Sequence, residues 1–470
     1  MDSHAAIAAI RQIVGTKGMI EDASTISPYV NDHRDLFHGS AVAVVRPAST
    51  EETAEVVRIA ADARLPIVPQ GGNTGLVGGS VPPAGAQGIV LSLARMNRIR
   101  SLDAVNNTMT VEAGCVLKDL QDAAHNAGRL FPLSLGAEGS CMIGGNLSTN
   151  AGGVGVLRYG NARDLALGLE VVLPDGRIWN GLRSLRKDNT GYDLKHLFIG
   201  GEGTLGVITA AVLKLFPLPA SRETAFLAVP SVSAALALLT EARAVTGDSV
   251  SAFELIPQIG IKLVTKHFAG VRAPLEVVSP WYVLIELTSP ESGEGLKDRM
   301  ETLLESAFAK NLITDGTAAA SEAQGKALWH IREILPESQT REGGSIKHDV
   351  SVPVSRVPDL IGQGTKALEA AIPGCRVFAF GHVGDGNIHF NVSQPVGADK
   401  ATFLKEWDRL NRIVHDLVGT LGGSFSAEHG IGVLKKSELR HYRSALELEL
   451  MGRIKTALDP AGIMNPGKML

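Results

Sequence analysis

At 470 residues the chain is longer than one ordinary domain and has room for two or three. Hydrophobic residues at 44% and charged residues at 20% are a globular composition, with no internal repeat or disordered tract. A net charge of −4 without a basic stripe argues against a nucleic-acid partner.

In chain order, Ala41 to Val45 reads as a buried strand, and Ser49-Thr50-Glu51-Glu52 offers a capping box for a helix through Arg64. Leu65 to Val68 is a second strand that runs into a glycine loop from Gln70 to Ser80. Ile89 to Leu93 and Met109 to Glu112 continue the strands, and Leu117 to Ala127 reads as a helix. Short strands mixed with helices predict an α+β or α/β architecture. The prolines of Phe216-Pro217-Leu218-Pro219 follow a strand-like run from Gly206 to Leu215 and mark a domain boundary. Beyond it, Ala234 to Ala244 reads as a helix, Trp281 to Leu287 as a strand, and Lys366 to Ala371 as a short helix before a strand at Val377. The expected division is residues 1–219, 220–426 and a C-terminal segment, 427–470.

Cys115, Cys141 and Cys375 are widely spaced, so neither a disulfide framework nor a cysteine zinc site is expected. The first residues lack the basic and long apolar parts of a secretion signal. No window reaches the ~18 uncharged apolar residues of a spanning helix. The expectation is a soluble, cytoplasmic protein with no transmembrane segment.

Glycine is the unusual residue, at 52 copies set in short runs between apolar segments, a pattern that suits close backbone approach to a large ligand. In the first loop, Gln70, Gly71, Gly72, Asn73, Thr74, Gly75, Gly78, Gly79 and Ser80 leave backbone N–H groups for an anion-binding concavity. The spacing is neither a P-loop nor a dinucleotide GxGxxG, and the plainer reading is a strand–loop turn. The second stretch runs from Pro132 to Gly153 and includes Gly136, Ser140, Gly144, Gly145, Ser148, Thr149, Asn150 and Gly152. It has neither helical nor strand patterning, and a loop that long in a compact domain is usually functional. Two such loops, almost without lysine, suit a pyrophosphate held by backbone and hydroxyl donors.

The sharpest local signal is Phe378-Ala379-Phe380-Gly381-His382-Val383-Gly384-Asp385-Gly386-Asn387-Ile388-His389-Phe390-Asn391-Val392. Apolar residues around Asp-Gly predict a hairpin with a two-residue turn, in which His382 faces His389 and Asn391 shares their side of the sheet. Facing Cβ atoms lie about 4.5–5.5 Å apart, a workable span for two imidazoles on one ion. The other reading is a pair of surface histidines. Ser426-Ala427-Glu428-His429-Gly430 offers a third ligand, and a His₂Glu set with an open position is a known catalytic zinc arrangement. On a regular strand Glu428 and His429 would point oppositely, and an isolated Glu-His pair also reads as a solvated turn.

Together with Gly200-Gly201-Glu202-Gly203-Thr204-Leu205-Gly206-Val207-Ile208-Thr209, the two loops resemble the FAD-binding domain of the vanillyl-alcohol oxidase and p-cresol methylhydroxylase (PCMH) flavoprotein superfamily, over roughly Phe37 to Leu218. The resemblance implies an α+β protein. It would have a two-part PCMH-type FAD-binding domain, an α/β substrate (cap) domain with an antiparallel sheet, and a C-terminal helical segment returning to the flavin. It adds Glu202, Gly206, Ile208 and, in the tail Asn465-Pro466-Gly467-Lys468, Asn465 to the FAD contacts. Some members attach FAD through a histidine in the first loop; this loop has none, so the flavin is expected to be non-covalent.

The segments around His382 and Glu428 resemble the D-2-hydroxyglutarate and D-lactate dehydrogenase branch of that superfamily. By this resemblance His382, His389 and Glu428 are metal ligands, and Asn391 and His429 are substrate contacts. Arg332 in Trp329-His330-Ile331-Arg332-Glu333, and Lys347, match the branch's substrate-carboxylate residues. Where the branch has a substrate-binding threonine, this chain has Pro336, which offers neither a hydroxyl nor an N–H.

The expected function is FAD-dependent, divalent-metal-assisted oxidation of a D-2-hydroxy acid (D-2-hydroxyglutarate, D-lactate or D-malate) to the 2-oxo acid. Hydride goes to flavin N5 and His429 serves as the base. Zinc is the first expectation for the ion, with manganese or cobalt as alternatives. The resemblance also implies an electron-transferring flavoprotein or a quinone as acceptor, and a homodimer. The rival readings are a flavin-dependent alcohol or sugar oxidase, a non-catalytic FAD-binding subunit of a glycolate-oxidase-like complex, and a metal-binding structural protein.

Overall fold

The computed structural model describes residues 1–32 and 34–470, which form two units. One comprises Met1–Gly153, Tyr159–Leu218 and Glu428–Leu470; the other comprises Val154–Arg158 and Pro219–Ala427.

The first unit opens with α1 (Ser3–Val14), β1 (Met19–Ile20), α2 (Ala23–Val30), β2 (Ala43–Val45), α3 (Thr50–Asp62), β3 (Ile67–Gln70) and β4 (Ile89–Ser92). The strands lie in the order β1-β2-β4-β3, with β4 parallel to both β2 and β3. Inner parallel strands are covered on both faces, and β2 and β4 are accordingly buried at every residue. Ser49 caps α3 by accepting the Glu52 N–H at 3.1 Å, while the Glu52 carboxylate reaches past the cap to the Ala48 N–H at 2.7 Å. The strand after α3 begins at Ile67, later than the sequence pattern places it. The Leu65 N–H closes the helix end on the Ala60 carbonyl at 2.8 Å, and Pro66 has no N–H to give. The outer edge of β3 is covered by the far end of the chain. Ile67 N–H donates to the Ile463 carbonyl at 2.8 Å and Asn465 N–H to the Ile67 carbonyl at 2.7 Å.

The same unit continues with β5 (Ile99–Asp103), β6 (Thr108–Glu112), α4 (Leu117–Asn126), β7 (Arg129–Leu130), α5 (Ile143–Ser148), β8 (Ala166–Val172), β9 (Ile178–Gly181), β10 (Val207–Lys214) and β11 (Phe216–Pro217). An antiparallel sheet orders these as β5-β6-β10-β8-β9, and β7 pairs with β11 apart from it. Both sheets drain into one apolar core that runs from Ala6 to Met464. The stretch from Pro132 to Gly153 is not structureless as expected, because α5 lies within it. Its two glycines hide a helix from a propensity reading, but Gly144 lets the turn sit hard against Ala113, where a Cβ would come within 2.7 Å.

The second unit is built on β12 (Ser221–Val229), β13 (Val250–Pro257), β14 (Trp281–Ser289) and β15 (Asp315–Ala318), antiparallel in the order β13-β14-β12-β15, as in a ferredoxin-like sheet. Alternation along β12 divides its residues between two cores. Ala225, Leu227 and Val229 pack with the helices Val232–Thr246 and Gly295–Ala309; Phe226 and Ala228 pack with the helix Glu322–Glu333 and with Phe378 and Phe380. The helix expected at Lys366 begins at Val357. A smaller sheet follows, of β16 (Ser345–Ile346), β17 (Asp349–Ser351), β18 (Arg376–Phe380) and β19 (Asn387–Ser393), with β19 pairing all the others. Reciprocal backbone bonds between Leu255 and Gly381, at 2.8 and 3.1 Å, tie the two sheets of this unit together. Among the described residues no helix is long and apolar enough to cross a membrane.

Candidate active site

In the first unit the ends of β3 and β4, the glycine loop, α5 and the start of β10 enclose a cleft with about 920 Å³ of empty space, open solvent at its mouth included. Fifteen of the expected FAD residues line it: Gln70, Gly71, Gly72, Asn73, Thr74, Gly75, Gly79, Ser80, Gly144, Gly145, Ser148, Thr149, Glu202, Gly206 and Ile208. Gly78, Pro132, Gly136, Ser140, Asn150, Gly152 and Asn465 are not in its lining. Several polar side chains of the first loop hold the loop itself. Gln70 Nε2 donates to the Tyr29 and Ser80 carbonyls at 2.9 and 2.8 Å. Asn73 Nδ2 donates to Asn31 O at 2.9 Å, and Ser80 Oγ donates to Asn73 Oδ1 at 2.7 Å. The side chains thus fasten the loop and leave its backbone to line the cleft, which is what an anion-cradling loop requires.

The glycines fall into two kinds. A Cβ on Gly72 would lie 2.1 Å from the Ser140 carbonyl oxygen, so this glycine allows the two loops to touch. A Cβ on Gly145 would meet nothing within 4 Å, so this one keeps the cleft open. Asn146 also lines the cleft, and its Oδ1 is buried with no donor from the protein. A large ligand carrying N–H or O–H donors fits that vacant acceptor, and FAD is such a ligand. Sequence reasoning missed Asn146 as well as the apolar lining from Leu93, Ala113 and Met142, which stand where strands or loops end and carry no motif of their own.

Glu202 bears on the same cleft in an unexpected way. Its carboxylate accepts the Ile431 N–H on Oε1 and the Gly432 N–H on Oε2, each at 2.7 Å. Burial pushes its pKa up, against the pull of those two N–H groups. It therefore fixes the segment carrying His429, and His429 does line the cleft. Asn465 Nδ2 donates to the Gly79 and Glu202 carbonyls at 2.9 and 2.7 Å, so the tail braces both loops. Lys468 donates to the Val81 carbonyl, and burial pulls its ammonium down to about 8.

In the second unit the hairpin at Asp385-Gly386 differs from expectation. Phe380, not His382, stands opposite His389. The chain leaves β18 at Gly381 to bond Leu255, and Asp385 closes a wider loop by accepting the Asn387 N–H at 3.0 Å. The two imidazoles still approach, with ring centroids 5.8 Å apart. Burial raises the Asp385 carboxyl to about 6, with His382 pulling the other way.

Beside them lies a group that the sequence reading did not single out. Glu254, on β13, is buried, and its oxygens are divided. Oε1 meets His382 Nδ1 at 2.6 Å, and Oε2 accepts from Arg332 Nε at 2.6 Å. Burial would raise its pKa, but His382 and Arg332 outweigh that and hold it at about 2. Arg332 is buried, its guanidinium 5.0 Å from the centre of the Phe380 ring. Asn391 is tied to the protein: Nδ2 donates to Gln339 Oε1 at 2.9 Å and Oδ1 accepts the His348 N–H at 3.2 Å. Lys347 is exposed, between β16 and β17. The Ala427 N–H donates to the Asp349 carbonyl at 3.2 Å, which fixes the chain one residue before Glu428.

Comparison with known proteins agrees with this picture. A family model for an FAD binding domain matches residues 41–181, and one for the C-terminal domain of FAD linked oxidases matches residues 218–469. In solved structures the fold is that of p-cresol methylhydroxylase (TM-score 0.77, 17% identity, 99% of this chain and 96% of that one) and of alkyldihydroxyacetonephosphate synthase (TM-score 0.73, 18% identity, 98% and 84%). The molecule thus has the PCMH-type fold and carries an FAD binding domain. Mitochondrial D-2-hydroxyglutarate dehydrogenases of Bos taurus and Arabidopsis thaliana are 42% and 38% identical to it, each over 99% of this chain and over 83% and 81% of the relative. The D-2-hydroxyglutarate dehydrogenase of Xanthomonas citri is 36% identical over 98% of this chain and 96% of its own. The chain belongs to the FAD-linked oxidase family, in its D-2-hydroxy acid dehydrogenase branch.

Proposed function

We propose that the chain oxidises a D-2-hydroxy acid to its 2-oxo acid, with non-covalent FAD and with a divalent ion, zinc first, held by His382, His389 and Glu428. The observation that carries this reading is Glu254, whose two oxygens bind His382 and Arg332. An imidazole with its proton held on Nδ1 and an anion-binding guanidinium then stand in fixed relation, as a substrate with adjacent hydroxyl and carboxylate needs. Bound FAD supplies a hydride acceptor at flavin N5. A bound ion supplies Lewis acidity that lowers the pKa of the hydroxyl.

The chain's own residues do the rest. Arg332 has Nε committed to Glu254 and turns its Nη groups to the C1 carboxylate, with Lys347 adding charge. His429 takes the hydroxyl proton, since imidazole titrates near neutrality and the loop bearing it is fixed by Glu202. Asn391 orients the substrate from β19. Pro336, in the first turn of the helix Leu335–Thr340, presents no hydroxyl, so a distal carboxylate on the substrate is held by other groups. By likeness to its branch, the enzyme passes electrons to an electron-transferring flavoprotein or a quinone and works as a homodimer.

The test is anaerobic bleaching of the flavin by D-lactate, D-2-hydroxyglutarate, D-malate and their L-forms, before and after EDTA. D-selective bleaching that EDTA abolishes and a divalent ion restores is expected. A yellow protein that none of these acids bleaches would overturn the proposal.

A further inference from the structure

We infer that Glu254 is a positioning residue shared by the metal site and the substrate-carboxylate site, so that metal affinity and anion binding depend on one carboxylate. The inference rests on the proposed roles of His382 and Arg332 and goes beyond them.

Glu254 occupies the middle of a strand whose neighbours Phe253, Leu255 and Ile256 are core residues. An ionised carboxylate in such a place loses its hydration, a cost that only good partners offset. It has two. Accepting from His382 Nδ1 fixes the ring's proton there and leaves Nε2 as the side that carries the lone pair. Accepting from Arg332 Nε fixes the plane of the guanidinium, and Phe380 limits its tilt from one face. The backbone bridge between Leu255 and Gly381 places the neighbours of Glu254 and His382 in register before either side chain acts. An amide in its place would either set a donor against Arg332 Nε or turn to donate to His382 Nδ1, which moves the ring proton to Nε2, the side that would otherwise carry the lone pair.

The test compares Glu254→Gln, Arg332→Met and His382→Ala with the wild type, all FAD-loaded, reading zinc affinity by chelator competition and KM for the hydroxy acid at saturating zinc. Glu254→Gln is expected to weaken zinc about 10–100-fold, as loss of an outer carboxylate on a metal histidine does elsewhere, and to raise KM. Arg332→Met should raise KM while leaving zinc affinity within about threefold, because it spares the bond from His382. A merely structural role would lower the active fraction without moving either quantity. Zinc affinity and KM within about twofold of wild type in Glu254→Gln overturn the inference alone, provided His382→Ala abolishes zinc binding. Zinc binding that survives His382→Ala overturns the metal reading and this inference with it. Should Glu254→Gln fail to fold, ¹⁵N spectra of labelled histidine in the wild-type protein decide. A proton on His382 Nδ1 supports the inference, and a proton on Nε2 alone overturns it.

Discussion

Glu202 and Gly432, 230 residues apart in the chain, meet through a 2.7 Å hydrogen bond from the glycine N–H to the carboxylate, and Ile431 donates alongside. Glu202→Gln puts an amide donor against one of these N–H groups. The expected cost is about 1–3 kcal/mol in stability, with a loss of turnover as the His429 segment loosens. Thermal unfolding and anaerobic flavin reduction measure the two effects.

His429→Asn should retain flavin and lower the rate of flavin reduction by about 10²–10⁴, the usual contribution of a general base. Stopped-flow reduction with the preferred D-acid checks it. A rate near that of the wild type would remove His429 from the base role.

The two kinds of glycine in the cleft of the first unit predict opposite failures. Gly145→Val fills open space, so flavin content should fall while the apoprotein's unfolding temperature holds within the error of a surface change. Gly72→Ala drives a Cβ into the Ser140 carbonyl and should cost about 1–3 kcal/mol in stability whether or not flavin is present. Flavin absorbance and calorimetry separate the outcomes.

Glu342 receives Lys266 at 2.6 Å, His267 at 2.5 Å and Arg376 at 2.7 Å, and these partners lower its pKa from 4.5 to about 2. A carboxyl held below its unfolded value stabilises the fold fully above that value and loses its contribution as pH falls. The wild type should therefore outlast Glu342→Gln in urea at pH 6, with the gap closing between about pH 4.5 and pH 2. Urea melts across that range give the comparison.

Much of this was readable from sequence for definable reasons. Strands such as β4 are continuous apolar runs, and the glycine loop follows β3 directly. The approach of His382 to His389 was legible, but the pairing was not. Asp-Gly signals a tight turn, and nothing local reveals that Gly381 will leave its strand to bond Leu255, over a hundred residues earlier. Glu254 escaped notice because a lone glutamate in Ser251-Ala252-Phe253-Glu254-Leu255-Ile256 reads as the solvent side of a strand. Yet β13 is buried at every position, and a charge inside an otherwise apolar run is the signal that could have found it. Gln70 and Asn73 both line the cleft and fasten the loop, a double part that residue type alone does not reveal.

The first unit is assembled from both ends of the chain. Residues 463–465 complete the edge of β3, Asn465 braces Gly79 and Glu202, and Lys468 grips Val81. The edge of β3 and the bracing of Gly79 and Glu202 are therefore completed only once residues 463–468 have been synthesised, with Asn465 lying 386 positions after Gly79. A fragment that stops short of Asn465 should retain flavin poorly, so flavin retention doubles as a check that this edge has closed.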